Sequence, residues 1–360
     1  LPGYKDKQYL AGELKTNAPT LTDAATAIIL QETASNENWD LQQGDVDSAF
    51  LNGRYLSPDR RVFFKAPKGG LPAVPEHGWP FIPEGTILQA KKGVYGTNDA
   101  PLLWYEEHRD TILSLPGATR SKLCPALFIF YDENGTLIGL IGTHVDDDLI
   151  AGSPEFFKNQ VAKLRKMHCY GKWHYINEGF HHCGRYLQRT PEGEIKCSQK
   201  EYTASIEKIP VNNMRRKQKD SKITAEERQL LHSGNGQIQW LVKSTRMDLA
   251  FQLAECQARA HDEAATVQNL LDFNKMVSDA KADEVTITFK KIDLSEAVIV
   301  AIGDSSFANV GKSKTASQAG LIVLLADNTG NKFLRGEASR VSALIWRSHK
   351  IKRVVRSTLT

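Results

Sequence analysis

The sequence predicts an α+β protein, on three observations. Apolar residues recur at helical spacing near the start of the chain and again over 237–280. A strand–turn–strand pattern occupies 126–143, with hairpin chemistry at its turn. From Val285 onward the period changes to that of strands, and no internal repeat is present. A chain of 360 residues with 41% hydrophobic content can bury two or three such domains.

In order along the chain, residues 18–37 read as a helix. Asn17-Ala18-Pro19-Thr20 gives a stop, and Leu21, Ala24, Ala25, Ile28 and Ile29 then recur on one face. A strand carrying Gln43-Gly44-Asp45-Val46-Asp47-Ser48-Ala49-Phe50-Leu51 follows. Residues 65–87, rich in Pro and Gly, read as loop. Residues 101–114 read as a helix entered through Pro101, with Trp104 and Tyr105 inward. In the hairpin, Ala126–Tyr131 is apolar and β-prone, Asp132-Glu133-Asn134-Gly135 is the turn, and Thr136–Thr143 returns. His144-Val145-Asp146-Asp147-Asp148 precedes apolar Leu149-Ile150-Ala151. A helix to about Met167 then starts with Ser153 at N-cap and Pro154 at N1. A polar, basic break at 209–236 precedes the helical stretch 237–280. Strands are expected at Val285–Ile292, Ala297–Ile302, Leu321–Ala326 and Ala343–Trp346.

Composition narrows the function less than position does. Net charge is +4, a mild basic excess that permits a nucleic-acid partner without requiring one. Lys196–Lys222 holds eight Lys/Arg against three Asp/Glu, and Arg340–Thr360 holds basic residues and no acid. Five scattered cysteines read as a reducing compartment, not a disulfide scaffold. No run of eighteen apolar residues occurs, which argues against a membrane-spanning helix. Leu-Pro-Gly-Tyr at the start reads as an entry in mid-fold, so the chain is expected to be a fragment.

Phosphoryl transfer to a growing strand requires divalent ions held a few ångströms apart, and Mg²⁺ takes hard oxygen ligands. Adjacent aspartates at a tight turn, with another aspartate on a neighbouring strand, meet that requirement. Asp146 and Asp147 follow the hairpin, and Asp45 sits in an apolar strand context. On spacing alone, an Asp run after a strand reads more readily as a solvated turn or a helix N-terminus than as a metal site.

The surrounding blocks add a resemblance. Gly44-Asp45-Val46-Asp47-Ser48-Ala49-Phe50-Leu51-Asn52-Gly53 closely resembles the first catalytic motif of copia-type retrotransposon reverse transcriptases. Four further blocks resemble the same family: Val62-Phe63-Phe64-Lys65-Ala66-Pro67-Lys68-Gly69; Lys91-Lys92-Gly93-Val94-Tyr95-Gly96; Ala100-Pro101 with Trp104-Tyr105; and His144-Val145-Asp146-Asp147 with Leu149-Ile150 and Gly152. Cys183-Gly184-Arg185-Tyr186 with Ser198-Gln199 and Tyr202 is similar to its primer-contacting hairpin, and Thr245-Arg246-Met247-Asp248 to its Thr-Arg-Pro-Asp element. The blocks come in family order over nearly the whole chain.

This resemblance implies a right-hand polymerase fold: palm with partial fingers over 1–208, helical thumb/connection over 209–283, and a partial ribonuclease H-like domain over 284–360. It implies RNA-directed DNA synthesis, a nucleotidyltransferase reaction using Mg²⁺, with Mn²⁺ as an alternative. Asp45, Asp146 and Asp147 would be catalytic and hold the metal. Val46, Asp47, Ser48, Phe50 and Asp99 would meet the nucleotide, with Phe50 as the aromatic gate against a ribose 2′-hydroxyl. The alternative for Phe50 is core packing beside Ala49 and Leu51. His144, Val145, Cys183 and Gly184 would contact the primer, the missing side chain of Gly184 admitting a nucleic-acid backbone. Implied partners are an RNA or DNA template with primer and deoxynucleoside triphosphates, with no membrane. The parent is implied to be a Pol polyprotein with integrase upstream, cytoplasmic in a virus-like particle, with the nucleus as a second compartment.

Three positions depart from the family pattern. His144 stands where Tyr is usual, Asp99 where Gln is expected, and Leu102 where Arg is expected. An unpaired Asp99 carboxylate would repel the triphosphate, unless it pairs with Lys91 or Lys92. The Asp99 and Leu102 departures, with the truncation expected at both ends, favour a second reading, a decayed element that binds nucleic acid without catalysis. Basic fingers residues are expected before Leu1. Ile302-Gly303-Asp304-Ser305 resembles the first metal site of a ribonuclease H domain, and Lys314-Thr315-Ala316-Ser317 and Trp346-Arg347-Ser348-His349-Lys350 resemble later blocks. The chain stops at Arg356-Ser357-Thr358-Leu359-Thr360 before a second carboxylate, so ribonuclease H activity is not expected. Asp148, outside the catalytic pair, is expected to tolerate substitution.

His168, Cys169, His174, His181, His182 and Cys183 invite a zinc reading. Structural zinc uses two short ligand pairs, whereas these residues fall on an expected strand pair with His181 and Cys183 on one face. Arg215-Arg216-Lys217 with Lys219 suits either phosphate contact or a solvated linker.

Overall fold

The computed structural model describes residues 3–261, 263–306 and 317–351. The expected blocks at Lys314-Thr315-Ala316 and Arg356–Thr360 lie outside the described residues. The strands are β1 (Asp40–Val46), β2 (Phe63–Lys65), β3 (Ile87–Gln89), β4 (Ala118–Arg120), β5 (Leu127–Tyr131), β6 (Leu137–His144), β7 (Asp147–Gly152), β8 (Tyr170–Tyr175), β9 (Phe180–His182), β10 (Arg185–Arg189), β11 (Ile195–Ser198), β12 (Ile287–Phe289), β13 (Val298–Ser305), β14 (Gln318–Ala326) and β15 (Val341–Lys350).

Four sheets result. The largest has six strands in the order β4-β5-β6-β7-β1-β8; the others are β12-β11-β10-β9, β13-β14-β15 and β2-β3. Two compact units form, one from the residues up to Thr22 with Gln42–Trp173, the other from Asp23–Leu41 with His174 onward. The partition at Trp173 falls inside the span read from sequence as one segment, 1–208. Its physical cause is β11, whose Ile195, Lys196 and Cys197 pair antiparallel with Phe289, Thr288 and Ile287 of β12. That ladder ties 185–198 to residues nearly a hundred positions later.

In the first unit, β5 to β6 is the expected hairpin. Asp132 Oδ1 accepts from the Asn134 and Thr136 N–H groups at 2.9 and 2.8 Å, and Gly135 takes φ 80°. That is the local Asx geometry that makes Asp and Gly turn residues. The core of this unit is Ile112, Leu115, Phe128, Phe130, Ile141, Ile150, Phe156, Val161 and Leu164. Ala100–Leu113 is the expected helix, with Trp104 and Tyr105 buried. Ser153 caps the helix beginning at Pro154 by accepting from Phe156 N–H.

The strand expected through Leu51 ends at Val46. Ser48 takes the left-handed conformation (φ 52°), and Ala49–Asn52 is a helical turn. Ala49 then packs with Val46 and Trp104. In the second unit, the break expected at 209–236 is half helix. Ala225–Ser244 starts there under a capping box in which Thr224 and Glu227 satisfy each other's N–H groups. Helices Ala250–Ala260 and Val267–Ala282 complete this bundle, whose core includes Leu231, Ile238, Leu241, Leu253, Leu270, Phe273 and Val277. Arg215 is no free phosphate contact. Its guanidinium pairs with Glu227 at 2.8 Å and donates to Lys222 O at 2.7 Å. No helix among the described residues is long and apolar enough to cross a membrane.

Candidate active site

Asp45 ends near the C-terminal end of β1, and Asp146 and Asp147 sit at the β6–β7 turn. Val46 N–H donates to Asp146 O at 2.9 Å, which fixes the end of β1 against that turn. His144 pairs across the hairpin with Asp147, so Val145 and Asp146 are its two turn residues. Val145 takes φ 63°, a conformation that suits Gly or Asn and costs a β-branched residue about 1–3 kcal/mol.

The carboxylates feel one another. Burial, then the charges of Asp146 and Asp47, raise the Asp45 pKa, with Lys172 opposing. Burial also raises that of Asp147, as do Asp146, Asp45 and Asp148, while a hydrogen bond from Gln43 Nε2 at 2.9 Å opposes the rise. Neighbouring carboxylates that repel one another suit a hard divalent cation. Among the described residues, however, no three His, Cys, Asp or Glu side chains already converge as a ready-made metal site. The donor chemistry fits Mg²⁺; the side-chain arrangement stops short of a closed ligand set.

Beneath the turn lies a polar layer that sequence reading missed. Asp148, expected to be peripheral, is 1% exposed. Both of its oxygens lie 3.0 Å from Nε2 of His108, itself 2% exposed, and Tyr170 Oη donates to it at 2.6 Å. Burial and the Asp148 charge hold the Tyr170 hydroxyl protonated far above its usual range. The Tyr170 and Trp173 rings lie where a Cβ on Gly44 would be, so the residue before Asp45 has no room for a side chain. His168, against both Trp104 and His108, is pushed down to a pKa of about 4, first by burial and then by His108, and is neutral at pH 7. The signal in the sequence was Trp104 with His108, one helical turn apart on the face expected to point inward.

Phe50 is half-buried, with its ring 5.0 Å from that of Tyr95. Asp47 and Ser48 are exposed just past β1. Asp99 is not a free charge beside a nucleotide. It is 5% exposed and pairs with Arg60, Nε to Oδ2 at 2.8 Å. Arg60 also pairs with Asp6 at 2.5 Å, so neither Lys91 nor Lys92 is the partner. The two carboxylates hold the guanidinium pKa above its ordinary value, the Asp99 hydrogen bond most of all. The repulsion expected of an unpaired Asp99 therefore has no free charge behind it.

In the second unit, Cys183 and Gly184 form the β9–β10 turn, with φ 48° and 70°. Two positive φ values match the tight turn that follows strand twist, so Cys183 does not share a strand face with His181. A Cβ on Gly184 would meet only Trp240, at 3.1 Å from Nε1. Asp304 is exposed near the end of β13, paired across to Gly320.

The chain belongs to a family of polymerases: residues 5–217 match the model described as reverse transcriptase (RNA-dependent DNA polymerase). Its relatives are copia-type transposon proteins. It is 25% identical over 261 residues to the retrovirus-related Pol polyprotein from transposon RE2 of Arabidopsis thaliana, covering 69% of this chain and 16% of that protein. It is 29% identical to the corresponding RE1 polyprotein of the same plant over 42% of this chain and 9% of the polyprotein. A putative transposon Ty5-1 protein of Saccharomyces cerevisiae is 29% identical over 44% of this chain and 47% of its own length. The chain thus spans about a sixth or less of the Pol polyproteins it matches.

Proposed function

We propose that the chain catalyses RNA-directed DNA synthesis, joining deoxynucleotides to a primer 3′ end, as part of a longer retrotransposon Pol polyprotein. The observation that carries the reading is the meeting of Asp45 with the Asp146–Asp147 turn in one sheet, fixed by the Val46–Asp146 backbone bond. Asp45, Asp146 and Asp147 would hold Mg²⁺. When bound, the ion supplies charge neutralisation at the triphosphate and lowers the pKa of the primer hydroxyl. The residues' own work is positional: Gln43 orients Asp147, and Asp47 N–H donates to Cys169 O at 2.9 Å, which holds the exposed Asp47 and Ser48 just past β1. His144 and Val145, beside the pair, would face the primer end, and Cys183-Gly184 would form a second primer contact. Asp99 supports the nucleotide region indirectly, by fixing Arg60 at the start of the helix Ala100–Leu113. Its pairing removes one ground for reading the chain as a decayed remnant. The sheet β13-β14-β15 with Asp304 would belong to the adjoining ribonuclease H-like domain.

Purified chain given an oligo-dT primer on poly-rA, dTTP and Mg²⁺ is expected to extend the primer, with activity lost on chelation. Template binding without extension under Mg²⁺ or Mn²⁺ would overturn the reading in favour of nucleic-acid binding alone.

Sugar choice gives a separate expectation. Phe50 leans on Tyr95 and stands five residues past Asp45, so Phe50→Val opens space at the site of a 2′-hydroxyl. The ratio of ribonucleotide to deoxyribonucleotide incorporation should rise by about tenfold or more, the scale of removing a steric block worth about 1.4 kcal/mol. An unchanged ratio with lower stability would make Phe50 core packing only.

A further inference from the structure

The turn that carries Asp146 and Asp147 is held in a conformation its residues do not choose. Val145, β-branched, sits at φ 63°, where glycine would rest without strain. A turn of this kind persists only if its surroundings determine it. The restraint comes from the indole of Trp104, whose Nε1–H donates to Val145 O at 2.7 Å. Trp104 is itself 1% exposed and packed with Val46 and Ala49. Its ring stacks on His108 at 4.8 Å and 15°, and His108 fixes Asp148 on the far side of the pair. Val46 holds the next carbonyl, that of Asp146. The carbonyls on either side of Asp146 are therefore anchored, and one of the anchors is a single indole N–H.

We propose that Trp104 is a positioning residue for nucleotidyl transfer, its N–H clamping the Val145 carbonyl so that the Asp146–Asp147 turn keeps its geometry. The proposal rests on the reading of those aspartates as the catalytic pair. Trp104→Phe is the direct test, because it keeps a large buried ring and removes the donor. Tyr105→Phe is the matched comparison: it lies on the same helix, is also buried, and loses a hydrogen bond of similar length, from its hydroxyl to Pro125 O at 2.8 Å, away from the turn.

Steady-state primer extension, thermal melting and amide hydrogen exchange of peptides covering His144–Asp148 would be measured on the wild-type chain and both variants. Trp104→Phe is expected to lower kcat about 10- to 100-fold, the scale of a misplaced reacting group, with the KM for dTTP and for template-primer within about twofold of wild type. Exchange at the turn should quicken. Tyr105→Phe should melt at a similarly reduced temperature yet keep kcat and the exchange of the turn. Wild-type kcat and turn exchange in Trp104→Phe would overturn the clamp, as would losses of kcat in both variants that follow their melting temperatures. Faster turn exchange in Trp104→Phe alone, in a chain whose wild type extends no primer, would uphold the clamp and sink the polymerase reading instead.

Discussion

Asp146→Asn is expected to abolish primer extension almost completely while leaving the fold and template binding intact. The substitution removes one negative charge and little volume. Loss of a single preorganised electrostatic contact at a reacting centre commonly costs about 10²–10³ in turnover, and a metal ligand at least as much. Asp45→Asn should behave in the same way. Stability should move in the opposite direction to activity. In wild type the Asp146 charge raises the pKa of Asp45 and of Asp147, and the Asp45 charge that of Asp147, so each Asn relieves repulsion and the melting temperature should hold or rise. The measurements are extension rate, fluorescence anisotropy with labelled template-primer, and a thermal melt. Extension by Asp146→Asn near the wild-type rate would remove the aspartate from the catalytic role.

Asp148→Ala gives the second large effect, and of the reverse kind. The carboxylate accepts from buried His108 and from Tyr170. Its removal strands two buried donors at once and opens a void. Breaking one side of such a buried arrangement typically costs about 3–5 kcal/mol. For a unit of this size that corresponds to a fall in melting temperature of roughly 6–20 °C. Asp148→Asn should fall between wild type and Ala, since an amide oxygen still accepts one of the bonds. Differential scanning calorimetry checks both; a melting temperature within about 2 °C of wild type for the Ala variant would show that the neighbours re-pair or hydrate. Two neighbouring aspartates, Asp146 and Asp148, are thus expected to fail in different ways, one through the proposed chemistry and the other through the core.

The difference between those neighbours marks where the sequence was legible. Asp45, Asp146 and Asp147 stand in contiguous blocks whose chemistry is local, and the hairpin before the pair is written in Asp132 and Gly135. Asp148 has the same residue type in the same run, and only the partners of Asp148, far away in sequence, distinguish it. Arg60 and Asp99 are 39 residues apart, and nothing near either names the other. The strand expected through Leu51 failed because Ala49-Phe50-Leu51 is apolar in either conformation; left-handed Ser48 decides for helix. The helix beginning at Ala225 was obscured by its charged first turn, although Thr224 and Glu227 at capping-box spacing were the available signal. Val145 could not have been found at all. Nothing in a valine announces a positive φ.

The strand order β4-β5-β6-β7-β1-β8 has a consequence for how the chain acquires its site. Strands β4 to β7 pair with near neighbours in sequence, and such hairpins close in microseconds. Asp146 and Asp147 would be in place at that stage. Asp45 arrives only when β1, from a hundred residues earlier in the chain, takes its place between β7 and β8, a long-range closure of the kind that slows folding. That same step brings like charges together, so β1 meets electrostatic resistance as it docks against β7. A divalent cation present during refolding would neutralise that resistance, and, on the proposed function, the ion that serves the reaction would also hasten the assembly of its own site.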